Sequence, residues 1–91
     1  MSTLEGRRVL VVEDETLVAM LVEDMLLDAG AQVLGPVATV AAALQLIQTE
    51  RPDVAVLDLN LAGETSEPIA DALTGLGVPF VVASGYGPVS Y

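Results

Sequence analysis

Five residues stand where chemistry would need them. Glu13 and Asp14 directly follow the apolar run Val9, Leu10, Val11, Val12; Asp58 directly follows Val54, Ala55, Val56, Leu57. Asn60 lies two residues further on, and Ser84 directly follows Phe80, Val81, Val82, Ala83. Carboxylates brought together repel one another unless they are protonated or share a cation. The chain has no cysteine and no histidine, so any metal must sit on oxygen. A hard divalent ion is then the natural partner. Mg²⁺ takes octahedral oxygen coordination from one or two carboxylates, waters and often a phosphate oxygen, and the main-chain carbonyl of Asn60 is a candidate further ligand. Such a site suits phosphoryl chemistry. With its charge offset, Asp58 could attack phosphorus in line and hold the group as an acyl phosphate, and the Ser84 hydroxyl could hydrogen-bond the acquired oxygens.

Each of these residues also has a plainer explanation. Glu13, Asp14 and Glu15 precede a helix, where acids complement the positive end of the dipole. An acid after a buried run is a common turn former, and Ser84 before Gly85 is ordinary turn chemistry. Their conjunction is harder to explain that way, because every one follows an apolar run in the same repeating order. Among the other acids, Glu23, Asp24, Asp28, Glu50 and Asp71 read as solvated helix faces.

The elements that must position these residues follow from pattern. Continuous apolar runs at 9–12 and 54–57 suit strands covered on both faces of a parallel sheet. Thr16 is placed to cap a first helix, with Val18, Leu21, Val22, Met25 and Ala29 at helical spacing and Gly30 as its stop. On this reading Met20 and Met25 belong to the core. A strand at 32–37 contains Gly35 and Pro36, which would break a central ladder, so it belongs at a sheet edge. Thr39 caps a second helix with Val40, Ala43, Leu44 and Ile47 on one face, ended by Pro52. Residues 59–65 read as a loop into a short helix from Ser66 and Pro68, with Ile69, Ala72, Leu73 and Leu76 inward and Gly77 after it. Residues 80–83 are a fourth strand.

Alternating strands and helices imply right-handed crossovers and an α/β fold: an open, flavodoxin-like parallel sheet with helices on both faces. Ligands of such sheets bind beyond the carboxyl ends of the strands, which is where the five residues fall.

Composition narrows the function. Ninety-one residues allow one small domain, which buries only about 60 to 65% of its unfolded surface. Apolar residues make up 53% of the chain, too many for disorder, while no apolar run approaches a membrane span of roughly 20 residues. Thirteen acids against three arginines give a net charge of −10, which repels nucleic acid and anionic membranes. Without histidine, cysteine or lysine there is no Ser-His pair, thiol nucleophile, disulfide, Schiff base or phosphate-loop lysine. No leader pattern opens the sequence, and a cytoplasmic protein is expected.

Together these motifs resemble the receiver domain of two-component response regulators. Val9-Leu10-Val11-Val12-Glu13-Asp14-Glu15 is similar to the family's first strand and acidic metal pair, and Val54-Ala55-Val56-Leu57-Asp58-Leu59-Asn60 to the strand with the phosphoacceptor aspartate and the carbonyl ligand. Val81-Val82-Ala83-Ser84-Gly85 resembles the strand with the switch hydroxyl, and residues 79–87 (PFVVASGYG) resemble a motif of stand-alone receivers. The resemblance implies strand order 2-1-3-4 and Mg²⁺ held by Glu13, Asp14, Asp58 and the Asn60 carbonyl. It further implies a phosphoryl group accepted on Asp58 from a sensor histidine kinase or phosphotransfer protein, Ser84 as switch, and a downstream protein partner.

The family departs from this chain in two places. Position 62 is alanine where proline is common. The family also continues through another helix, a fifth strand ending in a lysine and a final helix, so the resemblance implies an incomplete receiver whose phosphoryl group lacks that lysine. The fourth strand would then leave an apolar edge at Val81 and Val82, for which a homo-oligomer through that strand is expected. Two rival functions remain on the residues alone: a receiver that binds partners without phosphorylation, and an aspartate-nucleophile phosphohydrolase. The second would need an acid at position 60 and a lysine. Flavin binding is disfavoured, because acids stand where a phosphate would need donors.

Overall fold

The computed structural model describes residues 4–58, 60–61 and 63–83, with Asn60 and Ala83 described in their main chain alone. Four parallel strands, β1 (Arg8–Val12), β2 (Gln32–Val37), β3 (Val54–Asp58) and β6 (Phe80–Ala83), form one sheet in the order β2-β1-β3-β6. This is the expected order, β6 being the fourth strand of the sheet. Between them lie α1 (Thr16–Asp28), α2 (Val40–Glu50), α3 (Glu67–Gly75) and a small antiparallel hairpin, β4 (Asn60–Leu61) with β5 (Glu64–Thr65).

Period-two alternation divides the central strands between two cores. Leu10, Val12, Ala55 and Leu57 pack with Ala43 and Ile47 of α2 and Ile69 and Leu73 of α3; Val9 and Val11 turn to the other face, toward Val22 and Leu26 of α1. β1 is therefore buried on both sides, as its unbroken apolar run requires. β2 lies at the edge, as Gly35 and Pro36 predict. Gly35 sits at φ +97°, and a Cβ there would come within 2.8 Å of the Val37 nitrogen and 3.0 Å of the Val11 carbonyl, so only glycine fits.

The helix ends follow local chemistry. Thr39 caps α2, its hydroxyl accepting the Ala42 amide at 3.1 Å. Gly30 and Gly77 take the positive φ that stops α1 and α3. At the amino end of the sheet, Arg8 pairs with Glu50 while its amide donates to Asp53 at 2.9 Å, tying the start of β1 to the end of α2.

Four expectations are corrected. Thr16 is the first residue of α1, and Glu15 occupies the cap position without a side-chain cap bond. Met20, Leu21 and Met25 are exposed at 54, 63 and 69%, not core. α1 is apolar nearly all round, so periodicity could not choose its inner face; the sheet takes the side of Ala19, Val22 and Leu26 instead. Leu76 caps α3 and is exposed at 41%, since the helix has turned past the sheet by then. Finally, residues 60–65 contain the β4–β5 hairpin rather than only loop, and Leu61 within it is fully buried beside Ile69 and Leu73.

Candidate metal centre

β1 and β3 run side by side in parallel, with Val12 opposite Leu57. The next residue of each strand therefore emerges at the same carboxyl edge, and that register brings Glu13 and Asp14 to Asp58. One carboxylate oxygen from each of the three lies within 4.8 Å of the others. Glu13 is buried, Asp58 half-buried and Asp14 exposed, so the cluster opens to solvent on the Asp14 side.

Glu13 is held from below. Its carboxylate accepts the Glu15 amide at 3.0 Å, fixing the turn between β1 and α1. An i to i+2 acid-to-amide bond of this kind leaves no clear mark in the sequence. Burial pushes the Glu13 carboxyl above its ordinary value of 4.5. The Glu15 amide opposes that rise, and the negative charges of Asp58 and Asp14 add to it. Three acids are thus packed more closely than their own repulsion favours, and their all-oxygen donor set is the chemistry that a hard divalent cation fits.

Two clefts flank the cluster. One, of about 170 Å³, lies between the sheet and α1 and is walled by Val18, Val22 and Val56. The other opens between α1 and the end of β2, past Thr16, Met20 and Glu23. Glu23, expected on a wet face, is half-buried there. Asn60 follows β3 closely, its main chain paired with Thr65 in the hairpin. Ser84 lies outside the described residues, one position beyond β6, whose Ala83 is level with Asp58.

A parallel β2-β1-β3-β6 sheet with clustered acids at the carboxyl ends of its two central strands defines an open, flavodoxin-like α/β domain with an acidic site. The response regulator receiver domain matches residues 9–85, and the chain belongs to that family. The BeF3-activated conformation of SdrG from Pseudomonas melonis Fr1 is similar at 44% identity and TM-score 0.75, over 96% of this chain and 73% of that one. PhyR from Bartonella quintana, an anti-anti-sigma factor solved in complex with the anti-sigma factor NepR, is 29% identical with TM-score 0.78, over 85% of this chain and 33% of that one. The transcriptional regulatory protein PdtaR of Mycobacterium tuberculosis (strain ATCC 25618 / H37Rv) is 27% identical over 81 residues, 88% of this chain. The chain spans 40% of the length of that curated relative. Among the described residues, no helix is long and apolar enough to cross a membrane.

Proposed function

We propose that this chain is a cytoplasmic phosphoacceptor module of two-component signalling that takes a phosphoryl group onto Asp58 from a sensor histidine kinase or phosphotransfer protein. The observation that carries the reading is the convergence of Glu13, Asp14 and Asp58 at the ends of adjacent strands. Glu13, Asp14, Asp58 and the Asn60 carbonyl would hold Mg²⁺. When bound, Mg²⁺ supplies positive charge that offsets the carboxylates and the phosphoryl oxygens.

Asp58 is the nucleophile in this scheme. Its carboxylate forms an O–P bond as the donor's P–N bond breaks, and the imidazole leaves with that electron pair and is protonated by solvent. Glu13 stays in place through its bond to the Glu15 amide, and the β1–β3 register sets Asp58 beside Asp14. Ser84 is the candidate hydroxyl donor to the transferred group.

Two relatives support a signalling role through protein contacts. SdrG was solved in a BeF3-activated conformation. PhyR was solved with a protein partner, NepR. For this chain we infer a downstream protein partner whose binding depends on the state of Asp58.

The test is incubation with Mg²⁺ and acetyl phosphate followed by intact-mass measurement. A phosphate-sized mass increase is expected in the unmodified chain, absent in Asp58→Ala and absent when Mg²⁺ is chelated. An increase that persists in Asp58→Ala refutes the assignment.

A further inference from the structure

We propose that Leu61 is a positioning residue for the cation site: its buried side chain fixes the peptide unit whose oxygen is the Asn60 carbonyl. The inference rests on the reading of Glu13, Asp14, Asp58 and the Asn60 carbonyl as the Mg²⁺ ligands, and it names the residue that holds the carbonyl among them.

The three carboxylates emerge at the ends of β1 and β3, where the register of the sheet sets them. Asn60 has no such support. It lies past the end of β3 on the β4–β5 hairpin, where Asn60 pairs with Thr65 and Leu61 with Glu64. Even a longer two-stranded hairpin is marginal in water, so this one cannot order itself by its own hydrogen bonds. Gly63, Glu64 and Thr65 are all exposed, and among the described side chains of the hairpin only Leu61 is buried. Leu61 is 0% exposed and belongs to the core that holds Leu57 of β3, Ile47 of α2 and Ile69 and Leu73 of α3. The hairpin returns to the body at Ser66, which is buried and whose carbonyl accepts the Ile69 and Ala70 amides at 3.0 Å. The outgoing arm therefore hangs on Leu61.

The link from this side chain to the ligand oxygen is short and stiff. The Asn60 carbonyl and the Leu61 Cα belong to one peptide unit, whose six atoms stay close to a plane. A leucine locked in a close-packed core leaves that plane little freedom to turn. Mg²⁺ demands near-ideal octahedral geometry, so a carbonyl that swings is a poor ligand and one held in advance is a good one. Alanine at position 61 would keep the peptide oxygen and remove its anchor.

The experiment is a calorimetric MgCl₂ titration of the chain and its variants, with amide hydrogen exchange on the same proteins free of metal. Leu61→Ala should weaken Mg²⁺ binding about tenfold, as expected for groups that orient metal ligands, and should speed exchange over residues 60–65. Leu61→Val, a milder cut that covers the case of an alanine variant too unstable to fold, should weaken binding by a smaller factor. Leu61→Met, of similar volume, should keep the affinity. Ile47→Ala opens the same core from α2, which carries none of the ligands, and should lower stability while leaving the affinity unchanged. Unchanged affinity in Leu61→Ala and Leu61→Val overturns the proposal, whatever the exchange shows. An equal weakening in Ile47→Ala overturns it in favour of overall stability as the determinant. The absence of a saturable site in the unmodified chain refutes the reading of the centre itself, a result that is separate because it involves no variant.

Discussion

Leu57→Ala is expected to lower the stability of the fold by about 3 kcal/mol, within the range for a leucine cut to alanine in a closed core. Leu57 is fully buried, and its side chain sits where α2 and α3 meet the sheet. A domain of this size holds a total on the order of 10 kcal/mol, so a third of its margin would go and the melting temperature would fall by about 15 °C. Chemical denaturation of the variant beside Val81→Ala, whose site is largely exposed, measures the effect. Val81→Ala should change stability by less than about 0.5 kcal/mol. Equal losses at the two positions would mean that the core is not where the packing places it. Because Leu57 precedes Asp58 directly, its loss should also loosen the acidic centre.

Glu13→Gln should change how stability depends on pH. Burial, with Asp58 and Asp14 adding to it, holds the folded-state pKa of Glu13 above 4.5. The folded state therefore keeps this proton where the unfolded chain has already lost it. Its contribution to stability is fully present below about pH 4.5 and is lost as pH rises through the folded value. Glutamine keeps an oxygen to accept the Glu15 amide and does not ionise. Thermal melts from pH 4 to pH 8 without divalent cations should show the unmodified chain falling behind Glu13→Gln as pH rises. Parallel curves would show that Glu13 carries no such burden. Added Mg²⁺ should recover more stability in the unmodified chain than in the variant, because the cation relieves the same repulsion.

The strands and the acidic centre were legible in the sequence for one reason: a strand buried on both faces leaves an unbroken apolar run, and a polar residue directly after it must emerge at the strand's end. Val12 and Leu57 ended such runs, so Glu13 and Asp58 could be placed once β1 and β3 were neighbours. Gly35 and Pro36 likewise placed β2 at an edge. The inner face of α1 was not legible. Leu17, Met20, Leu21, Met25 and Leu27 are exposed although apolar, so hydrophobic spacing pointed to several sides of the helix at once. Leu61 was hidden for the opposite reason. It stands in the short stretch Leu59-Asn60-Leu61-Ala62-Gly63, too brief to show a helical or strand pattern, and only the β4–β5 hairpin, a tertiary feature, carries it into the core beside Ile69. The turn into α1 is held by the Glu13 carboxylate, which accepts the amide two residues on, and no capping pattern announces that bond.

The account rests on three carboxylates acting as one cation site, and a calorimetric titration of the chain with MgCl₂ at neutral pH addresses that most directly. It predicts a single saturable site in the unmodified chain and no saturable heat in either Asp14→Asn or Asp58→Asn, each variant remaining folded by circular dichroism. A site that survives both substitutions, or no site in the unmodified chain, contradicts it.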